Sequence, residues 1–161
     1  MRIEPGNLDA QDVAALLREH LQDMYATSPP ESMHALTDKG LRDPDVTFFA
    51  ARDDDGALLG CGAIKGLGEG TAELKTMRTV ATARGRGVGS AMLAHLLAVA
   101  RERGFTSVHL ETGSMDYFAA ARRLYARHGF LETGPFGDYA PDPLSTFMTL
   151  QLRPGPEVTR S

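Results

Sequence analysis

The six residues Arg84-Gly85-Arg86-Gly87-Val88-Gly89 constrain this chain more than any other stretch. Before them, "AELKTMRTV" (Ala72–Val80) reads as a strand. After them, apolar residues at Val88, Met92, Leu93, Leu96, Leu97 and Ala100 fall on one stripe of a helix that Gly104 ends in the C′ role. A strand, a glycine turn and a helix therefore meet at one point. Glycines let backbone N–H groups come close to a ligand, because no Cβ stands in the way. The helix start adds unpaired N–H groups and about half a positive charge. Arg84 and Arg86 add formal charge. The segment Arg84, Gly85, Arg86, Gly87, Val88, Gly89 and Ser90 is thus expected to hold a phosphate or pyrophosphate.

Two common phosphate motifs do not fit. A P-loop requires Lys followed by Ser or Thr after its last glycine, and here Gly89 is followed by Ser90 and Ala91. A G-x-G-x-x-G fingerprint read from Gly85 meets Ser90 at its third glycine, and no acidic residue ends a strand at the expected distance. An ordinary glycine-rich turn before a helix is the plain alternative.

The rest of the chain frames this unit. Helical spacing of Val13, Leu16, Leu17, Leu21 and Met24 predicts a helix over Asp9–Tyr25 with Asp9 as N-cap, and a short helix follows near Met33–Leu41. "VTFFAAR" (Val46–Arg52) and "ALLGCGAIKGL" (Ala57–Leu67) read as a hairpin turned at "DDDG". "SVHLETG" (Ser107–Gly113) is a strand, "YFAAARRLYARHG" (Tyr117–Gly129) a helix with its own glycine stop, and "FLETG" and "STFMTLQL" are the last strands. Antiparallel strands followed by a β–α–β crossover imply an α/β (α+β) fold, a mixed sheet with helices on both faces.

Bulk properties narrow the function classes. A length of 161 residues suits one domain, here assigned to 1–152, with "RPGPEVTRS" (153–161) expected to trail as a tail. The net charge of −4 gives no general attraction to nucleic acid or to a membrane surface. The one cysteine, Cys61, allows no internal disulfide and no thiolate cluster, so no metal is expected, and its neighbours "LLGCGAI" predict a buried thiol. No signal-like or 18-residue apolar run is present, so a cytoplasmic protein is expected.

"R-x-x-G-x-G", here Arg84, Gly87 and Gly89, after a strand and opening an amphipathic helix, resembles the acetyl-CoA motif of the GCN5-related N-acetyltransferases (GNAT superfamily). A second segment, "A-x-x-L-Y-x-x-x-G-F", is present as Ala121, Leu124, Tyr125, Gly129 and Phe130. The resemblance extends from about Met1 to Leu152. "ESMHAL", "ELKTMRT", "ETGSMDYF" and "GPFGDY" together look like one small bacterial subgroup.

The resemblance implies a mixed, mostly antiparallel sheet of six to seven strands, with acetyl-CoA as donor and its pyrophosphate on the glycine loop. It implies that "LKTMRTV" is a splayed strand pairing with the pantetheine arm. Thr79 and Val80 would supply backbone contacts, and the N–H of Met77 or Arg78 would face the thioester oxygen. Tyr125 stands where the family commonly places the phenol that protonates the departing sulfur; a core tyrosine is the plain alternative. Glu73 occupies a position where some members carry a general base, Glu111 is its rival, and a solvated strand carboxylate is the plain reading. The family often has Asn where this chain has Phe118, so that contact is either lost or replaced by packing on pantetheine.

Four further residues are candidates for the acceptor. His34 and the loop residues Asp138 and Tyr139 either bind it or only decorate a helix and a turn. On an unbroken strand Glu73, Lys75 and Met77 share one side, whereas a bulge in this strand, common in the family it resembles, would upset the alternation after it. Lys75, with Arg78, then either receives an acceptor carboxylate or merely pairs with Glu73 or Glu111. These residues imply acetyl transfer to the amine of a small molecule, with an amino-acid-like acceptor as the sharper form. Transfer to a protein or peptide amine, or a silent CoA-binding module, are the alternatives. By analogy with the family, a homodimer is expected.

Overall fold

In the computed structural model, which describes residues 1–27, 38–137 and 139–152, seven strands form one sheet in the order β1-β2-β3-β4-β5-β7-β6. The strands are β1 (Arg2–Pro5), β2 (Val46–Arg52), β3 (Leu58–Gly68), β4 (Thr71–Thr79), β5 (Ser107–Gly113), β6 (Leu131–Thr133) and β7 (Ser145–Gln151). Only β4 and β5 run parallel; every other neighbouring pair is antiparallel. The mixed sheet expected from the chain order, mostly antiparallel as the family resemblance implies, is the one observed.

The helices are α1 (Gln11–Thr27), α2 (Asp38–Leu41), α3 (Val88–Glu102) and α4 (Ala119–Arg127). Strand alternation sorts the core into two halves. Phe48, Cys61 and Ala63 pack with Val13 and Leu16 of α1 and Leu41 of α2. Phe49, Ala51, Ile64, Leu74, Val108 and Leu110 face the other way, onto Met92, Leu93 and Leu96 of α3 and Tyr125 of α4. Leu93 and Leu96 are wholly buried. Each such leucine contributes about 1.5–3 kcal/mol, so packing of this stripe, more than helix propensity, fixes α3 and the glycine turn at its head.

Three boundaries differ from expectation. β1 arises where sequence periodicity gave no strand: four residues with one strongly apolar side chain, Ile3, are ordered by pairing with β2. The first helix begins at Gln11 instead of Asp9, because the Asp9 carboxylate accepts from Arg42 at 2.7 Å instead of capping. The expected helix from Tyr117 splits into a 3₁₀ turn, Asp116–Phe118, followed by α4. The segment 28–37, with His34, and the position of Asp138 lie outside the described residues.

Candidate active site

The site begins as a fork in the sheet. β4 and β5 pair only through Thr71–Leu74 and Ser107–Leu110. Beyond that point β4 carries a bulge against β3: Ala63 is opposite Lys75 while Cys61 is opposite Arg78. Thr76, at the bulge, has φ 58°, a left-handed conformation that a β-branched residue rarely adopts and that persists only where surroundings impose it.

The bulge upsets the alternation after it, the alternative that the family resemblance implies. Lys75 is opposite Ala63, which belongs to the α1 face of the sheet. After the extra residue, Met77 packs in the cluster on the α3 face. Arg78 returns to the α1 face and donates to Glu19 at 2.7 Å and to Asp23, both on α1. Met77 therefore does not share a side with Glu73 and Lys75; Arg78 takes that place. Arg78 itself is already engaged by two carboxylates. Burial opposes its charge, and the Glu19 and Asp23 carboxylates outweigh that, raising its pKa. The hydrogen bond from Arg78 in turn lowers the pKa of Asp23.

A cavity of about 450 Å³ opens on the α3 side of the fork, lined by Met77, Arg78 and Thr79 of β4 and by Arg84, Gly85, Gly87, Val88, Gly89 and Ser90 of the glycine turn. Gly85 and Gly87 have φ of 78° and 82°, which explains why these positions are glycine. The first backbone bond into α3 runs from the Ala91 N–H to the Gly87 carbonyl at 3.0 Å. The N–H groups of Val88, Gly89 and Ser90 therefore have no partner within the helix. Cavity, unpaired N–H groups and arginines suit a pyrophosphate-bearing ligand.

Two expected cofactor residues do not line this cavity. The Val80 N–H is spent on the Leu59 carbonyl at 2.9 Å, and its own carbonyl accepts from Ala83. Arg86 sits at the exposed tip of the turn. Conversely, Cys61, Ala83, Met92, Ala120, Ala121, Leu124 and Arg127 line it without having been singled out for that role. Ala121 and Leu124 were visible only as motif positions. The Cys61 thiol is buried, and burial pushes its pKa up to about 12, in keeping with a structural thiol.

Tyr125 lines the same cavity from α4. Burial pushes its pKa up to about 12, so the phenol keeps its proton at any working pH. Its carbonyl accepts from the N–H groups of both His128 and Phe130, at 3.0 and 3.1 Å. Gly129 makes this turn possible with φ 98°. Phe118 is absent from the cavity lining. Its ring packs so closely on Gly113 that a Cβ there would lie 2.0 Å from Cδ2. The ring thus wedges the end of β5.

On the α1 face a second polar group gathers. Glu73 is 4% exposed; its Oε2 accepts from Lys75 Nζ at 3.0 Å and from the Tyr139 hydroxyl. Lys75 also donates to the Tyr139 oxygen at 2.7 Å. Burial first, then the bond to Glu73 and the nearby charges of Glu73 and Glu111, push the Tyr139 phenol above its usual range. Glu111 Oε2 accepts from Ser145 at 2.7 Å. His109, beside Glu73 in the β4–β5 register, stacks on Phe136 at 4.9 Å, and burial lowers its pKa against the raising effect of Glu73. Phe136, Tyr139 and Phe147 pack on one another around it. The sequence signalled Glu73, Lys75, Glu111 and Tyr139 but not His109 or this aromatic surround.

Among the described residues no group of three or more His, Cys, Asp or Glu side chains is placed to hold a metal ion, and no helix there is long and apolar enough to cross a membrane.

Comparison with known proteins bears directly on this geometry. The chain is 45% identical over 152 residues to the uncharacterized N-acetyltransferase YsnE of Bacillus subtilis, covering 94% of this chain and 100% of the relative. It is 43% identical over 137 residues to an IAA acetyltransferase of Azospirillum brasilense, covering 84% of this chain and 86% of the relative. A crystal structure from Klebsiella pneumoniae, assigned as an acyl-CoA N-acyltransferase, superposes with a TM-score of 0.77 at 32% identity, covering 94% and 97% of the two chains. Residues 13–130 match the Acetyltransferase (GNAT) family. With the forked sheet and the glycine turn in place, the conclusion is direct: this chain belongs to the GNAT family and is an N-acetyltransferase that uses acetyl-CoA.

Proposed function

We propose that the acceptor is a small molecule that bears both an amine and a carboxylate. One observation carries this reading: a buried cation, Lys75, sits beside a buried carboxylate, Glu73, on the α1 face of the fork. Acetyl-CoA, when bound, supplies a thioester carbonyl open to attack by an amine. Glu73 takes the proton of the acceptor amine, with Glu111 as the nearest rival for this role. A backbone N–H of β4 just past the bulge faces the carbonyl oxygen as it gains charge. Tyr125 gives its phenolic proton to the departing sulfur, which its buried, protonated state suits.

Lys75 has a double use in this scheme. In the free protein its ammonium is shared between Glu73 and Tyr139. An acceptor carboxylate takes over one of those bonds and releases Glu73 toward the amine. The name of the Azospirillum relative, IAA acetyltransferase, supports acetyl transfer as the reaction. The test is thiol release from acetyl-CoA across amino acids, their amides, polyamines and short peptides. Amino acids should lead and their amides should fail. If polyamines or other carboxylate-free amines prove the best acceptors, the proposal is wrong.

A further inference from the structure

The two family motifs touch through a pair of side chains that neither motif includes. Ser90, in the first turn of α3, lines the donor cavity, and its Oγ lies 2.9 Å from Nε2 of His128, the residue that ends α4. We propose that His128 is a positioning residue for the donor: its Nε2–H donates to Ser90 Oγ and so leaves the Ser90 hydroxyl hydrogen to donate to the pyrophosphate of CoA.

The chemistry of the two groups carries this. A neutral imidazole has one N–H and one bare nitrogen, and a hydroxyl has one hydrogen. Only one of the two can donate across the 2.9 Å gap. If serine donated to histidine, an oxygen lone pair would be turned toward an anion. With histidine donating, the hydroxyl hydrogen is freed beside the backbone N–H groups of Val88, Gly89 and Ser90. An incoming phosphate therefore selects the Nε2–H form of His128, and the chain His128 → Ser90 → phosphate polarises in one direction.

The place of His128 is not accidental to the fold. Its own N–H donates to the Tyr125 carbonyl at 3.0 Å, in the turn closed by Gly129. One turn of chain thus orients the residue proposed for the sulfur end of the donor and the residue proposed for its phosphate end. The inference rests on the glycine turn holding CoA.

The test compares CoA, followed by calorimetry, with pantetheine, which has no phosphate and is titrated by NMR. His128→Ala and Ser90→Ala should each weaken CoA about tenfold, as expected for a hydrogen bond to a charged group, and leave pantetheine unchanged. The double variant should be no weaker than the poorer single, because one relay is removed once. His128→Gln, whose amide can donate near the Nε2 position, should recover most of the loss. Equal losses for CoA and pantetheine, additive losses, or unchanged CoA affinity would each overturn the relay. Failure of the wild-type protein to bind CoA at all would instead sink the donor assignment beneath it.

Discussion

The ammonium of Lys75 lies 3.0 Å from the carboxylate of Glu73; strand alternation puts both on the α1 face, and the bulge at Thr76 that follows turns Met77 to the other. The acceptor chemistry proposed above depends on this pair. Replacing Lys75 by Met should raise KM for the acceptor about tenfold, the value of one charge-assisted bond. KM for acetyl-CoA should stay within about twofold of wild type. Steady-state kinetics with each substrate varied in turn decides it, and a matched rise in both constants counts against an acceptor role.

Glu73→Gln keeps the shape of the side chain and removes its ability to take a proton. We expect kcat to fall about a hundredfold, the lower range for general base help. Glu111→Gln, whose bond from Ser145 can persist, should cost much less. The reverse ranking would transfer the role to Glu111.

For Tyr125→Phe the ring and its packing survive while the proton donor is lost. The expected result is a kcat lower by about a hundredfold with near-normal acetyl-CoA affinity. Because burial holds the phenol pKa near 12, wild-type activity should show no falling limb from this group below about pH 11. Full activity of the Phe variant at saturating acceptor would remove Tyr125 from the chemistry.

Gly87 adopts φ 82° with open space around it. Gly87→Glu should therefore fold with a modest strain penalty of about 1–2 kcal/mol while placing a carboxylate at the phosphate loop. CoA binding by calorimetry should drop at least about tenfold. Gly87→Asn, which tolerates this conformation and adds no charge, should bind far better. Identical affinities for the two variants would locate the pyrophosphate elsewhere.

His20 offers a pH test of stability. It is buried on α1, and its Nδ1 has no hydrogen-bond partner. Burial, then the charge of Arg78, lower its pKa to about 4 from 6.5, partly opposed by Asp23. The folded pKa lies below the unfolded one, so between those values the unfolded chain binds the extra proton and stability falls as pH falls. From pH 7.5 to 5.0 this one residue should cost about 2 kcal/mol. The lowered pKa of His109 acts in the same direction. His20→Leu should flatten the loss measured by urea unfolding at the two pH values; an unchanged slope would mean His20 is charged in the native state.

The glycine turn and α4 were legible because their signals are local: glycines at fixed offsets, one apolar stripe, a glycine stop. The bulge was visible only through the family resemblance, since nothing within "LKTMRTV" calls for a left-handed threonine; β3, the α1 packing and the diverging β5 impose it from outside. Arg78 read as a companion of Lys75 for an acceptor carboxylate, yet α1 brings Glu19 and Asp23 to it across more than fifty positions of sequence. The Ser90–His128 pair was hidden for the same reason: the sequence marked Ser90 as part of the phosphate turn but gave no sign of His128 beside it. β1 carries too little pattern in four residues to be seen without its partner strand.

The fork also decides how long the protein survives without its donor. Past Leu74 and Leu110, β4 and β5 share no rungs, so the sheet has a weak seam beside the cavity proposed for CoA. A ligand bridging that seam stabilises only the closed, folded form. At a hundred times its Kd it adds about 2.7 kcal/mol, enough to slow hydrogen exchange along residues 75–80 and 111–114 and to deny proteases an opening there.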